Sequence, residues 1–135
     1  MPIRDWLISF WPERQTIAWR EKTRISIATG LSILLTGLIS SHFLAGAGVP
    51  LIAISMGASA VLLFGVPGGL LSQPWPLVGG HLVSATVGIL CARWVADPWL
   101  AAGLAVGLAM GAMLSLRCLH PPGGAIALYA VLGGP

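Results

Sequence analysis

The residues best suited to chemistry lie at positions 117–124, where the sequence reads Arg-Cys-Leu-His-Pro-Pro-Gly-Gly. The two prolines force the backbone out of helical geometry, and Gly123 and Gly124 follow with amide groups that no side chain covers. A helix restarting after Gly124 would direct its N–H groups and the positive end of its dipole at this break. Because Arg117 and a protonatable His120 stand beside it, we expect the break to bind an anion.

A second glycine break is predicted at Gly79 and Gly80, directly before His81. By itself, His81 is better explained as an interfacial or hydrogen-bonded histidine than as a ligand. At both breaks, free backbone amides would replace part of the water shell of a bound ion. The candidate substrate-binding residues are Arg117, His120, Pro121, Pro122, Gly123, Gly124, Gly79, Gly80 and His81.

The same segment also has a purely structural interpretation. A straight helix over the 21 residues 99–119 would be about 31 Å long and would cross a bilayer completely. His120 would then lie at the membrane interface, and Arg117 would extend its charge to the headgroups. A tilted or re-entrant helix is needed to bring the break deeper, and the sequence leaves both arrangements open.

The composition indicates a membrane protein. Of 135 residues, 56% are hydrophobic and 8% are charged, and beyond Arg24 the charged residues are Arg93, Asp97 and Arg117 alone. So few charges cannot cover a surface that faces water, and they offer no basic face for nucleic acid. The composition therefore predicts the lipid bilayer as a partner. Cys91 and Cys118 lie in apolar stretches without metal-ligand spacing, so we expect both to act as small hydrophobic residues.

The elements that must position these residues are predicted to be helices. Residues 1–24 form an N-terminal segment at the cytoplasmic interface, and residues 25–135 form the transmembrane domain. The predicted crossings are at about 25–44, 49–66, 79–95 and 99–119, with 70–78 too rich in proline for a continuous helix. The expected fold class is therefore an all-α polytopic bundle of four transmembrane helices plus a short C-terminal half-helix.

The distribution of basic residues predicts the orientation. Four basic residues lie near the start of the first crossing (Arg14, Arg20, Lys22 and Arg24), and Arg117 falls on the same side, against Arg93 on the other. The N terminus is therefore expected in the cytoplasm, with the plasma membrane of a bacterium as the simplest location.

An internal duplication is a further hypothesis. Residues 56–58 and 110–112 both read Met-Gly-Ala, and residues 67–69 and 122–124 both read Pro-Gly-Gly, at offsets of 54 or 55. Chance agreement competes with this hypothesis because glycine is abundant. If the repeat holds, the sequence ends one helix early. Its last 11 residues would then form a shielded half-helix, or the sequence would be a fragment lacking a final crossing.

Small residues recur at four-residue spacing on three predicted helices, a pattern that lets helix backbones approach closely in lipid. The three rows are Ser32, Thr36, Ser40; Gly80, Ser84, Gly88; and Gly103, Gly107, Gly111. Tight packing is the favoured interpretation over a pore lining. Since four or five short helices enclose little volume, we also expect a homo-oligomer, with the last row as a candidate contact.

Several ordered motifs together resemble the HPP family of integral membrane proteins. They are residues 57–64 (GASAVLLF), 78–82 (VGGHL), 96–101 (ADPWLA) and, above all, 119–125 (LHPPGGA). The similarity runs from about residue 20 to 134. It implies a multi-helix membrane protein, and it implies nitrite as substrate because plastid and cyanobacterial members are associated with nitrite transport. Family members usually continue through another apolar helix, which this sequence lacks.

The primary hypothesis is therefore a transporter or channel for a small monovalent inorganic anion, nitrite by resemblance, that needs no cofactor. The alternative is a non-transporting membrane anchor or assembly module, which the dense small-residue packing supports. A metal enzyme using His42, His81 and His120 is the weakest hypothesis, because His42 is predicted near the opposite face and paired carboxylates are missing. We accordingly expect a protein that is not an enzyme.

Overall fold

The structure is a computed structural model that describes residues 17–43 and 49–133, with the side chains of 49–53 excepted. Predictions for residues 1–16, for the turn at 44–48 and for Gly134 and Pro135 lie outside the described residues. Five α-helices and no strands are found in the described ranges, so the all-α class is confirmed there. The helices are α1 (Trp19–Phe43), α2 (Val49–Gly65), α3 (Pro74–Trp94), α4 (Pro98–Ser115) and α5 (Gly123–Leu132).

Three of these helices are long and apolar enough to cross a membrane, namely α1, α3 and α4. Helix α2 has 17 residues and α5 has 10, so they span about 26 Å and 15 Å against a hydrocarbon core of about 30 Å. The described residues thus provide three candidate spans and two shorter apolar helices, and the predicted count of four crossings is not confirmed.

Helix α3 begins five residues earlier than predicted. Pro74 occupies its first turn, where the missing N–H group has no intrahelical partner to lose, so proline starts this helix instead of breaking it. The stretch predicted to be irregular therefore contains a single 3-10 turn, Leu70–Ser72, and the first turn of α3. Proline also starts α4, where the Asp97 carboxylate accepts a hydrogen bond from the Leu100 amide at 2.7 Å.

Helix α1 also starts earlier than the predicted crossing. Its first two turns carry Arg20, Glu21, Lys22 and Arg24, and Glu21 pairs there with Arg24 one turn later. Charged residues limit the part of a helix that lies in lipid, but they do not end the helix itself. An exposed ion pair between residues three positions apart is compatible with helical geometry. The helix and the membrane crossing therefore have different boundaries.

The helix ends are aligned by a few contacts. The indole Nε1 of Trp75, in the first turn of α3, donates to the Leu116 carbonyl after α4 at 3.1 Å. Arg24 near the start of α1 and Pro67 after α2 line one small cavity. Since only a short connection joins Pro67 to α3, these four residues mark one end of the bundle. We call this the basic end, because Arg24 and Arg117 both lie there.

The packed core lies between α3, α4 and α5. The face of α4 that enters it consists mainly of alanine, and it ends at the larger Met113. The buried residues of α4 are Ala101, Ala102, Ala105, Ala109 and Met113. Helix α1 packs chiefly along α2 and contributes no buried residue. The bundle is therefore a three-helix core with a helical hairpin at its side.

Helix α5 packs against α3 through glycine. A Cβ atom on Gly88 would lie 2.8 Å from the Ala127 carbonyl oxygen, and one on Gly123 would lie 3.1 Å from the Gly80 carbonyl oxygen. Both distances are shorter than van der Waals contact allows, so the helices meet backbone to backbone. Ser84, beside Gly123, lies about 15 Å along the roughly 31 Å of α3. Helix α5 therefore starts halfway through the bundle, as the predicted half-helix should.

The rows of small residues on α3 and α4 have different roles. The row on α3 is buried and packs against α5, which confirms the packing interpretation there. By contrast, a Cβ on Gly103, Gly107 or Gly111 would meet nothing within 4 Å, so the row on α4 faces outward.

The predicted duplication is not confirmed by the helices themselves. The Pro-Gly-Gly sequence at 67–69 leads into a 3-10 turn, whereas the one at 122–124 starts α5. Identical tripeptides thus adopt different local structures, because the second is held against α3.

We expect Gly88→Ala to lower the stability of the bundle, because the added methyl group must displace the α5 backbone. Overpacking of this kind costs about 1–3 kcal/mol. Gly57→Ala is the matched control: nothing lies within 4 Å of a Cβ there. It should leave stability unchanged or raise it slightly through helix propensity. Thermal unfolding of both purified variants in detergent tests the packing, and equal melting temperatures would contradict it.

Candidate functional site

The segment after α4 folds back into the bundle. The chain leaves α4 at Ser115, the Cys118 amide donates to the Met113 carbonyl at 2.9 Å, and His120 becomes fully buried. Helix α4 therefore ends four residues before the predicted limit of Leu119. Of the two arrangements the sequence left open, the structure adopts the re-entrant one, with His120 inside the protein. We call residues 116–122 the re-entrant segment.

The glycine pair on α3 creates room for this segment. Gly79 and Gly80 lie within the continuous helix α3, so they do not form the break that the sequence predicted. A Cβ on Gly80 would lie 2.6 Å from the Cβ of His120 and 2.9 Å from the Cys118 carbonyl oxygen. The pair is therefore required for close approach, and its amide groups belong to the helix.

The amides of Gly123 and Gly124 are also engaged. Gly123 donates to the His120 carbonyl at 2.9 Å, and Gly124 donates to the Pro121 carbonyl at 3.0 Å. Pro122 is buried, and its carbonyl accepts the Ser55 hydroxyl at 3.0 Å. In this geometry the amides close the turn that starts α5, so side chains rather than backbone N–H groups are available to a ligand.

The two motif histidines come together although they are 39 positions apart in the sequence. The ring centroids of His81 and His120 are 4.9 Å apart. His81 Nδ1 lies 2.8 Å from the Leu77 carbonyl oxygen, and His120 Nδ1 lies 2.9 Å from the Leu71 carbonyl oxygen. Because a carbonyl oxygen can only accept, each Nδ1 carries a proton. In the neutral rings, each Nε2 then presents a lone pair.

Both lone pairs are directed at one serine of α2. The Ser59 hydroxyl oxygen lies 2.9 Å from His120 Nε2 and 3.3 Å from His81 Nε2, and that of Ser55 lies 3.4 Å from His81 Nε2. These four residues form the histidine–serine cluster. Ser55 and Ser59 were not among the predicted site residues. Their spacing of four in an otherwise apolar helix, which places two hydroxyl groups on one face, was the available signal.

A groove gives access to the cluster. It has a volume of about 470 Å³ and lies between α1, α2 and α3. Hydrophobic side chains make most of its wall, and the polar lining residues are Ser32, Thr36, Ser59 and His81. His81 is half-buried and reaches the groove, whereas His120 lies behind Ser59, away from it. The cluster thus has an accessible histidine and an enclosed one.

The remaining candidates lie apart from the cluster. Arg117 is exposed at the basic end with a φ angle of 54°, a left-handed conformation in which the chain reverses after α4. His42 lies in the last turn of α1, where its ring packs against Phe43. The basic end is at the start of α1, so His42 is remote from His81 and His120. No set of three or more potential metal ligands occurs among the described residues.

The fold and site define a multi-helix membrane protein with a re-entrant His-Pro-Pro segment. Residues 14–135 match the family model described as "HPP, transmembrane region", and the chain belongs to this family. It is 38% identical over 126 residues to a transmembrane protein of Dictyostelium discoideum, a match that covers 90% of this chain and 42% of that protein.

A second Dictyostelium discoideum transmembrane protein is 48% identical over 82 residues, covering 58% of this chain and 26% of its own length. The chain thus spans less than half the length of these relatives. No solved structure matches it significantly. Membership confirms the family resemblance of the motifs, and the named relatives are, like this chain, membrane proteins.

We expect Gly123→Ala to displace the re-entrant segment, because the new Cβ would lie 2.5 Å from the Ser84 hydroxyl oxygen. Its neighbour Gly124 provides the control, since a Cβ there meets nothing within 4 Å. In a Cys91→Ser background, the fully buried Cys118 should react with a maleimide at least several-fold faster in Gly123→Ala than in Gly124→Ala. Unchanged labelling in both variants would show that the segment does not depend on this contact.

Proposed function

We propose that the protein is a transporter or channel for a small monovalent inorganic anion, with nitrite as substrate. The observation that carries this proposal is the lining of the groove: its polar groups are hydroxyls and one imidazole, with no carboxylate among the described lining residues. Hydroxyl groups donate hydrogen bonds and imidazole can become cationic, so the lining suits an anion. A cation site in such surroundings would need carboxylate or carbonyl oxygens.

The size of the groove also supports a small ion. A volume of about 470 Å³ exceeds that of a three-atom anion severalfold, so the ion can enter with part of its water shell. Inside, the hydroxyl groups of Ser32 and Thr36 on α1 face those of α2 and His81 across the groove. Each of these two α1 hydroxyls donates to a carbonyl of its own helix at 2.8 Å, and each can turn to an entering anion to replace the water lost on that side.

Charge outside the groove favours delivery of anions. Arg117 is exposed at the basic end, so its field raises the local anion concentration without binding one tightly. Among the small anions we choose nitrite, because plastid and cyanobacterial members of the HPP family are associated with nitrite transport. Nitrite is the transported substrate, and the proposed mechanism requires no cofactor and no enzymatic step.

We further propose a homo-oligomer in the plasma membrane of a bacterium, with the N terminus in the cytoplasm. The outward row of Gly103, Gly107 and Gly111 lets a second helix approach α4 closely. The same row favours the alternative of a non-transporting membrane anchor or assembly module, so flux is the measurement that separates the two functions.

In proteoliposomes, the protein should carry nitrite, and His81→Gln should reduce the initial rate at least tenfold because the groove loses its ionisable group. His42→Gln is the matched control, since this exposed histidine lies far from the groove, and it should retain the original rate. Arg117→Gln should reduce the rate about two- to threefold at low salt only, where its field is unscreened. Arg93→Gln is its control.

The flux assay has clear contrary outcomes. Absence of any nitrite flux above protein-free vesicles would overturn the transport proposal and favour the anchor. Equal rates for His81→Gln and the original sequence would leave transport standing but would remove the groove from its path.

The proposed oligomer is tested by cysteine cross-linking. Gly107→Cys should give disulfide-linked dimers on mild oxidation in membranes, because α4 faces a second copy there. Gly57→Cys is the control on α2, and the two native cysteines are buried. If Gly107→Cys stays monomeric under these conditions, α4 is not the contact.

A further inference from the structure

The histidine–serine cluster holds fewer protons than it has acceptors. Both Nδ1 protons are used on the carbonyls of Leu71 and Leu77. The remaining acceptors are His81 Nε2, His120 Nε2 and the Pro122 carbonyl, the last of which takes the Ser55 proton at 3.0 Å. Only the Ser59 hydroxyl proton is then left for two imidazole nitrogens, and the Ser55 carbonyl oxygen of its own helix, at 3.1 Å, is a further acceptor for it.

The distances show which of the two Nε2 atoms lacks a hydrogen-bond donor. The Ser59 hydroxyl oxygen is closer to His120 Nε2, at 2.9 Å, than to the Ser55 carbonyl oxygen, at 3.1 Å, or to His81 Nε2, at 3.3 Å. The Ser59 proton therefore goes to the enclosed His120, and the lone pair without a donor belongs to His81. This is also the histidine that lines the groove. One added proton on His81 Nε2 would be donated to the Ser59 oxygen and would complete the hydrogen bonding of the cluster.

We propose that His81, Ser59 and His120 form a shared site for one proton, and that this proton enters the groove together with the anion. The inference rests on the proposed function. A proton on His81 Nε2 can pass to the Ser59 oxygen while the Ser59 hydroxyl proton passes to His120 Nε2. Two O–H or N–H bonds break and two form, and the positive charge moves from the accessible histidine to the enclosed one.

The cluster accepts one proton rather than two because of its geometry. Two imidazolium rings would place two positive charges 4.9 Å apart in apolar surroundings. Their repulsion should make the second proton bind roughly 100-fold more weakly than the first. In addition, a doubly charged pair would leave both Nε2–H groups competing for the single oxygen of Ser59. The expected stoichiometry is one proton for each anion.

The surroundings of the cluster supply no other charge in the part of the chain that the structure describes. Helix α1 contributes Ser32 and Thr36 to the facing wall, α2 contributes the two serines, and the 3-10 turn contributes the Leu71 carbonyl. The other titratable group beside the histidines is the Cys118 thiol of the re-entrant segment. Because the described residues place no carboxylate beside it, a protonated cluster needs a counterion, and the anion in the groove is that counterion.

This linkage fixes the sign of the pH effect. A bound anion favours the protonated cluster, so protonation must favour the anion by the same factor. While the free cluster is unprotonated, lowering the pH by one unit should strengthen nitrite binding tenfold. Once the free cluster is protonated, nitrite binding should become independent of pH. An inward proton gradient should correspondingly drive nitrite uptake against its concentration gradient.

The test uses the full chain in lipid nanodiscs, with ¹⁵N-labelled histidine and a His42→Gln background that leaves only the two rings of interest. At high pH both rings should show a protonated Nδ1 and an unprotonated Nε2. On acidification, both Nε2 signals should change with one midpoint and a total uptake of one proton. Sodium nitrite should raise this midpoint by at least one pH unit relative to a nitrite-free sample.

Ser59→Ala should separate the two rings, because the path between them is lost: His81 should still take up a proton, and His120 should stop responding at that midpoint. Ser115→Ala is the control. This serine on α4 is exposed and bonds to its own helix at Gly111, so the shared transition should remain.

Independent titration of the two rings with a total of two protons would overturn the shared site. So would the absence of any protonation, with or without nitrite, down to the pH at which the fold is lost. Flux measurements separate this proposal from the one before it. Nitrite flux that ignores the proton gradient would leave the transporter and remove the coupling. A one-proton transition without nitrite flux would leave the shared site and remove the transporter.

Discussion

A backbone that leaves helical geometry inside an apolar bundle must find partners for its peptide groups, and this constraint shapes the whole structure. The re-entrant segment meets it by lying directly on α3, which is achievable because Gly80 and Gly123 carry no side chain. Its carbonyl and amide groups are then taken up by the start of α5 and by Ser55. The glycine contacts are therefore the condition for burying the segment at all.

The same contacts determine the orientation of the histidines. Once the segment lies on α3, the His120 ring contacts the Leu71 carbonyl through Nδ1 and the Ser59 hydroxyl through Nε2. The His81 ring is held by the Leu77 carbonyl, one turn earlier in its own helix. Carbonyl groups on both Nδ1 atoms fix the tautomers, so both Nε2 atoms face one hydroxyl. Chemistry at the groove thus depends on main-chain contacts made several residues away.

Much of this fold follows from the sequence alone. Apolar runs located the helices, and the spacing of Gly80, Ser84 and Gly88 indicated a packed face on α3. The proline-rich stretch 70–78 is not one continuous helix, as predicted, but residues 74–78 already belong to α3, because prolines suit the first turn of a helix as well as they disrupt its middle. The glycine pairs were predicted to free amides, but glycine also permits close approach, and one sequence cannot decide between these uses.

The cluster was only partly predictable. The motif singled out both histidines, yet Ser59 was hidden in an apolar helix, and which oxygen faces which nitrogen depends on how α2 is rotated against α3. A different consequence concerns stiffness. Because α1 buries no residue and packs chiefly along α2, the wall that closes one side of the groove can shift without opening the core. The mechanical compliance of the site is thereby concentrated in α1, while the histidines and the serines of α2 remain on the rigid side.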